Sequence, residues 1–204
     1  MGQNKYKRKQ PNRIVKDTVY IVCGGETEQI YFENFRKKFH TQFSERKIRI
    51  VKSYHDPLRI INTCITLKEQ EKNALKIWAV FDKDDFQNFD EAICLARQNK
   101  IHCAFSNQAF EVWLIHHFCG LERALHRDKY ANKIKKLTGK DYIKSSKELN
   151  KMIDTMLELP IIQTAMSNAQ KSFLYHEEME YAGKYSNYES CTTVYQLIKD
   201  FIPV

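Results

Sequence analysis

The chain has 204 residues, 43% of them hydrophobic and 28% charged, and a formal net charge of +8. That length supports one good core with an appended subdomain, and the composition excludes a disordered chain. The longest apolar runs are too short to span a membrane and the N-terminus lacks a hydrophobic signal core, so the expected address is the cytoplasm, with no membrane partner.

Residues 1–16 carry lysines and arginines around Pro11 without apolar periodicity, which reads as a flexible basic arm. Val19 to Cys23 is a continuous apolar run, a candidate first strand. Gly24-Gly25 permits a tight turn and Glu26-Thr27-Glu28 opens a helix whose apolar face includes Tyr31, Phe35 and Phe39. Ile48 to Val51 reads as a second strand. Asp56-Pro57 starts the next helix, with Asp as cap and Pro in its first turn.

Leu75 to Phe81 is the central strand, buried on both faces as parallel strands are, and Asp82-Lys83-Asp84-Asp85 ends it. Asp-x-Asp places two hard oxygen donors close together, as Mg²⁺ or Mn²⁺ requires, with Asp85 a third candidate. The competing reading is that these acids cap the following helix. A crossover helix over Phe89 to Lys100 and a fourth strand over His102 to Ser106 follow. Phe110 to Phe118 is apolar nearly all round and Gly120 can end it. This alternation predicts an α/β domain over residues 17–120, a parallel sheet flanked by helices with right-handed crossovers.

From Leu121 strand signals vanish, and helices are expected over Lys129–Leu137, Ser146–Leu157, Ile161–Glu178 and Cys191–Phe201, a basic helical extension over residues 121–204. Between Leu121 and Lys147 nine Lys/Arg face three Asp/Glu, a local net of +6. Lys133, Lys136, Lys140 and Lys144 recur at steps where one helix could present them together to a phosphate backbone; the alternative is a solvated face. The basic region carries few aromatics, so base stacking is not expected from it. Six cysteines are scattered without a Cys-x-x-Cys pair, as suits buried free thiols in a reducing compartment.

Val22-Cys23-Gly24-Gly25-Glu26-Thr27-Glu28, Val80-Phe81-Asp82-Lys83-Asp84-Asp85 and Ser106-Asn107-Gln108-Ala109-Phe110-Glu111-Val112-Trp113 together resemble the RloB-like proteins, with weaker matches at Ser167-Asn168-Ala169 and Thr192 to Leu197. The resemblance implies a Toprim-like sheet in which a glutamate ending the first strand and Asp82 and Asp84 ending a later one hold divalent metal for phosphodiester cleavage. It also implies an ABC-type ATPase partner that senses phage infection and controls a toxic nuclease. A homodimer is left open, as is the nucleic acid cleaved: tRNA, other RNA or DNA. Glu28 and Glu111 match family carboxylates that bind metal through water, orient neighbours or cap helices; His117 matches a family position and reads as a packed residue. In the implied chemistry Mg²⁺ neutralises the scissile phosphate and activates water for in-line attack. The rival reading is a non-catalytic nucleic-acid-binding or regulatory subunit.

One departure is expected to weaken the implied catalysis, because it removes a metal ligand or proton acceptor. The family usually reads Cys-Glu-Gly where this chain has Cys23-Gly24-Gly25. The loss of that glutamate reflects an inactivated variant, a naturally silent copy, or a role taken over by Glu26. Gln108 also replaces a usual proline, a change expected to affect only the turn.

Overall fold

The computed structural model describes residues 17–41, 46–120, 125–144 and 147–202; the basic arm lies outside them. The elements run β1 (Thr18–Cys23), α1 (Glu26–Lys38), β2 (Lys47–Lys52), α2 (Pro57–Gln70), β3 (Ala74–Asp82), α3 (Phe89–Gln98), β4 (His102–Asn107) and α4 (Glu111–His116). They continue as α5 (Tyr130–Thr138), α6 (Lys147–Met156), α7 (Leu159–Glu177), β5 (Cys191–Thr192) and α8 (Val194–Lys199). The sheet has the order β2-β1-β3-β4-β5, parallel except for β5, which pairs antiparallel with β4.

Period-two alternation sorts the sheet's side chains. Val19, Ile21 and Cys23 join Tyr31, Phe32 and Phe35 of α1 on one face, where α4 to α8 also pack. Tyr20 and Val22 join Ile60 and Ile61 of α2 and Ala92 and Ile93 of α3 on the other. Each fully buried large side chain in these layers contributes about 1.5–3 kcal/mol. Helix α2 starts as its sequence predicts: Asp56 accepts a hydrogen bond from the Arg59 backbone N–H at 3.3 Å, with Pro57 in the first turn. The cysteines are free thiols. Among the described residues no helix is long and apolar enough to cross a membrane.

Two expectations need correction. Cys191–Phe201 is not one helix: Cys191 and Thr192 form β5 and α8 begins at Val194. The reason is local competition between side-chain and backbone hydrogen bonds. The Thr192 hydroxyl donates to the Phe105 carbonyl at 3.0 Å, and the Thr193 hydroxyl accepts from the Phe105 N–H at 2.9 Å. Helix α4 also stops at His116, with His117 as its cap, rather than at Gly120.

The C-terminal helices share the sheet's core rather than packing apart from it, since α6, α7 and α8 contribute Ile153, Ile162, Val194 and Leu197 to the layer holding α1. At the far end Asp200 accepts the Trp78 Nε1–H at 3.0 Å and pairs with Lys76 Nζ at 2.7 Å, clasping the end of α8 to β3. Asn168, in one of the weaker family matches, donates to the His116 carbonyl at 2.9 Å. His117 is packed as expected, buried with Nδ1 on the Trp113 carbonyl and Nε2 on the Tyr31 hydroxyl.

Candidate active site

Strand order fixes the location. From β1 the chain passes to β2 on one side, while β3 lies on the other, so the crevice opens beyond the carboxyl ends of β1 and β3, where ligands bind in open α/β sheets. Gly24 leaves β1 with its N–H on the Val80 carbonyl at 2.8 Å, which sets the first strand's exit beside Asp82. A cleft of about 230 Å³ lies there, lined by Gly24, Gly25, Glu28, Asp82, Asp84 and Lys144.

The third family motif shapes the second. The Ser106 carbonyl accepts the Lys83 N–H at 2.8 Å, and the Gln108 carbonyl accepts the Asp84 N–H at 2.9 Å. Asp84 sits at φ +41°, a left-handed conformation that Asp tolerates better than most residues. The chain thereby turns so that Asp82 and Asp84 both face the cleft while Asp85 does not. Asp85 is 86% exposed and its carboxylate lies 2.6 Å from Arg127, which also holds Asp84 at 2.8 Å. Of the three expected metal ligands, then, Asp85 stands outside. Gln108 does more than make a turn, because its Oε1 accepts the Arg127 backbone N–H at 2.9 Å and so places that arginine.

The carboxylates of α1 and α4 complete the cluster. Glu28 is buried in the first turn of α1, its carboxylate folded against Gly25. Glu111, the first residue of α4, accepts the Tyr142 hydroxyl at 2.7 Å and lies 3.1 Å from Lys144 Nζ, and Tyr142 in turn meets the Thr27 hydroxyl at 3.3 Å. Both residues therefore sit at helix starts and face the crevice. Glu26 lies exposed on the rim, so the acid that α1 turns toward Asp82 is Glu28. Burial and the charges of Glu28, Glu111 and Asp84 push the Asp82 carboxyl well above the usual range, with the Phe110 amide opposing. Burial raises Glu28 to about 7; Glu111 and Asp84 add to this, while its own backbone N–H and Lys144 oppose it.

The basic residues divide. Gly139 at φ +71° ends α5, leaving Lys133 and Lys136 on that helix and Lys140 and Lys144 beyond it. The four do not share one helical face, and of them only Lys144 lines the cleft. Burial lowers the Lys144 pKa, but the charge and hydrogen bond of Glu111, with Asp82 and Glu28, outweigh it and raise the value. Arg127 and Tyr142 have no spacing signal in the sequence and long-range packing alone brings them here, whereas Thr27 comes with the turn that opens α1.

The donor set suits a hard cation. Asp82 Oδ1 is enclosed and has no hydrogen-bond partner, an arrangement that costs free energy unless a proton, a water or a cation meets it. Among the described residues no group of three or more His, Cys, Asp or Glu side chains is placed to hold a metal ion. Mg²⁺, however, usually binds through one or two carboxylates and keeps waters and substrate oxygens as its other ligands.

An acidic crevice at the switch point of a mostly parallel α/β sheet, edged by lysine and arginine, is consistent with the Toprim-like class of proteins. The chain belongs to the RloB-like family: the family model described as RloB-like protein matches residues 19–201. No curated protein and no solved structure matches it.

Proposed function

We propose that this RloB-like protein is a metal-dependent nuclease, the toxic effector of an ATPase-controlled antiphage defence system. The observation that carries the catalytic part is the meeting of Asp82, Asp84, Glu28 and Glu111 at one strand-end cleft, with Asp82 Oδ1 unpaired. The ATPase partner and the defence role rest on the family resemblance. Asp82 and Asp84 would hold Mg²⁺ or Mn²⁺, which when bound neutralises phosphate charge and acidifies water. Lys144 adds positive charge beside the phosphate. Glu28, buried at the cleft beside Asp82, is suited to accept the proton of an attacking water. Arg127 holds Asp84 in place, and Tyr142 and Thr27 tie Glu111 to α1.

The second reading, a non-catalytic nucleic-acid-binding or regulatory subunit of an ATPase complex, is favoured by Gly24 where the family has glutamate and by the pairing of Glu111 with Lys144. Incubation with total RNA and plasmid DNA, with and without Mn²⁺, separates the two, alongside calorimetric Mn²⁺ titration. Metal-dependent cleavage and Mn²⁺ uptake, both lost in Asp82→Ala, support the nuclease. Neither activity changing in the variant leaves the regulatory reading.

A further inference from the structure

The β2–α2 and β3–α3 loops each carry an exposed aromatic residue near the acidic cleft, Tyr54 within range of the Glu26 and Glu28 charges and Phe86 in the lining itself. Tyr54 is 46% exposed and Phe86 39% exposed. Phe86 lines the cleft, as does His55, itself exposed. The Asn88 side chain donates to Asp56 Oδ1 at 3.1 Å and joins the two loops, and Asp56 is anchored as the cap of α2. Tyr54 is held from a third direction, its hydroxyl bonded to Gln29 of α1. Phe86 follows a tight turn closed by its N–H on the Lys83 carbonyl at 3.0 Å. Hydrogen bonds therefore hold the Tyr54 hydroxyl and the backbone that carries Phe86, and both rings stay partly exposed rather than folded into the core.

Exposed rings beside a site for a phosphate suit a flat apolar group that arrives attached to that phosphate. Resting on the nuclease reading, we infer that Tyr54 and Phe86 stack on an unpaired nucleobase next to the scissile phosphate, so that the substrate is single-stranded or looped nucleic acid rather than duplex. A base inside a duplex keeps both faces stacked on its neighbours and cannot offer one to a ring. The chain's net charge of +8 suits a polyanion, and stacking tolerates any base because each has a π-face. The basic helix α5 and the segment after it need not supply aromatics; the loops at the cleft do.

The test measures binding of the full chain, by fluorescence anisotropy in EDTA, to a labelled homopolymeric single strand, which cannot pair with itself, and to the same strand annealed to its complement. The duplex has the greater phosphate density, so the chain's net charge of +8 favours it, and a preference for the single strand reports contact with unpaired bases. The expected result is single-strand binding about 10-fold or more tighter than duplex binding, the preference falling by about 10-fold in Phe86→Ala and in Tyr54→Ala. Phe86→Trp keeps the preference and its indole fluorescence is quenched by the single strand. Equal affinity for the two probes, no binding to either, or an unchanged preference in both alanine variants overturns the inference. Failure of the nuclease reading is recognised separately, as oligonucleotide binding without Mn²⁺-dependent cleavage.

Discussion

Gly24 is closely packed, and that can be measured. A Cβ built there would lie 2.7 Å from Ile60 Cδ1 and 3.1 Å from the Val80 carbonyl oxygen. The main chain cannot slide away without breaking the 2.8 Å hydrogen bond from Gly24 N–H to that same carbonyl. Overpacking of this kind costs about 1–3 kcal/mol. A smaller opposing effect comes from the unfolded chain, which loses about 0.4–1 kcal/mol of conformational freedom when glycine becomes alanine at a compatible φ. Gly24→Ala should therefore destabilise the fold by about 1 kcal/mol. Ile60→Val removes the crowding methyl and alone costs about 0.5–1.5 kcal/mol. The double variant should be more stable than the summed singles by about 1 kcal/mol, read from urea unfolding with unchanged slope. Additive singles, or a Gly24→Ala chain as stable as the parent, would refute the packing argument. The same geometry governs restoration of the family's carboxylate: Gly24→Glu should raise Mn²⁺-dependent cleavage of nucleic acid, and more so with Ile60→Val. Equal, robust cleavage by parent and variant would discard that expectation.

The remaining predictions concern the charges. Glu28 holds its proton more tightly in the folded chain, to about pH 7, than in the unfolded chain, where the ordinary value is 4.5. The folded state then binds more protons across that window, so ionisation of Glu28 lowers stability as pH rises from 4.5 to 7. Glu28→Gln should match the parent near pH 4.5 and exceed it by up to roughly 3 kcal/mol above pH 7, in thermal or urea melts with chelator present. Buried His116 and His117, pushed down by burial to about 4 and about 3, have the opposite slope and cancel in this difference. A pH-independent difference would show that Glu28 is well solvated. Asp200→Ala should cost about 1–3 kcal/mol by leaving the Trp78 indole N–H unpaired, and Asp200→Asn less, because an acceptor remains. Equal losses in both variants would assign the clasp to the more exposed Lys76 pair instead.

The parallel strands were legible because each is an unbroken apolar run buried on two faces, and their ends lie within about a residue or two of the expected ones. That Asp82 and Asp84 reach the crevice was legible because acids that end a doubly buried strand fall where the crevice opens, although capping of the next helix was an open alternative. β5 was not, since a two-residue strand defined by threonine hydroxyls on a neighbouring backbone has no period to read. Asp85 looked equivalent to its neighbours in sequence; only the left-handed turn at Asp84 and the position of Arg127 separate them. Spacing put Lys144 on a helix with Lys133 and Lys136, whereas Gly139 breaks that helix and frees Lys144 to reach Glu111. The exposed aromatics were hidden because they belong to two loops far apart in sequence, joined by the hydrogen bond between Asn88 and Asp56.

Because β5 covers the outer side of β4, the backbone bearing the Ser106–Gln108 motif stays unzipped until residues 191–192 have been made. A growing or shortened chain lacking them would present a bare ladder of amides and carbonyls, the kind of surface that recruits other strands and aggregates. Premature termination before residues 191–192 would therefore favour insoluble material over a folded fragment.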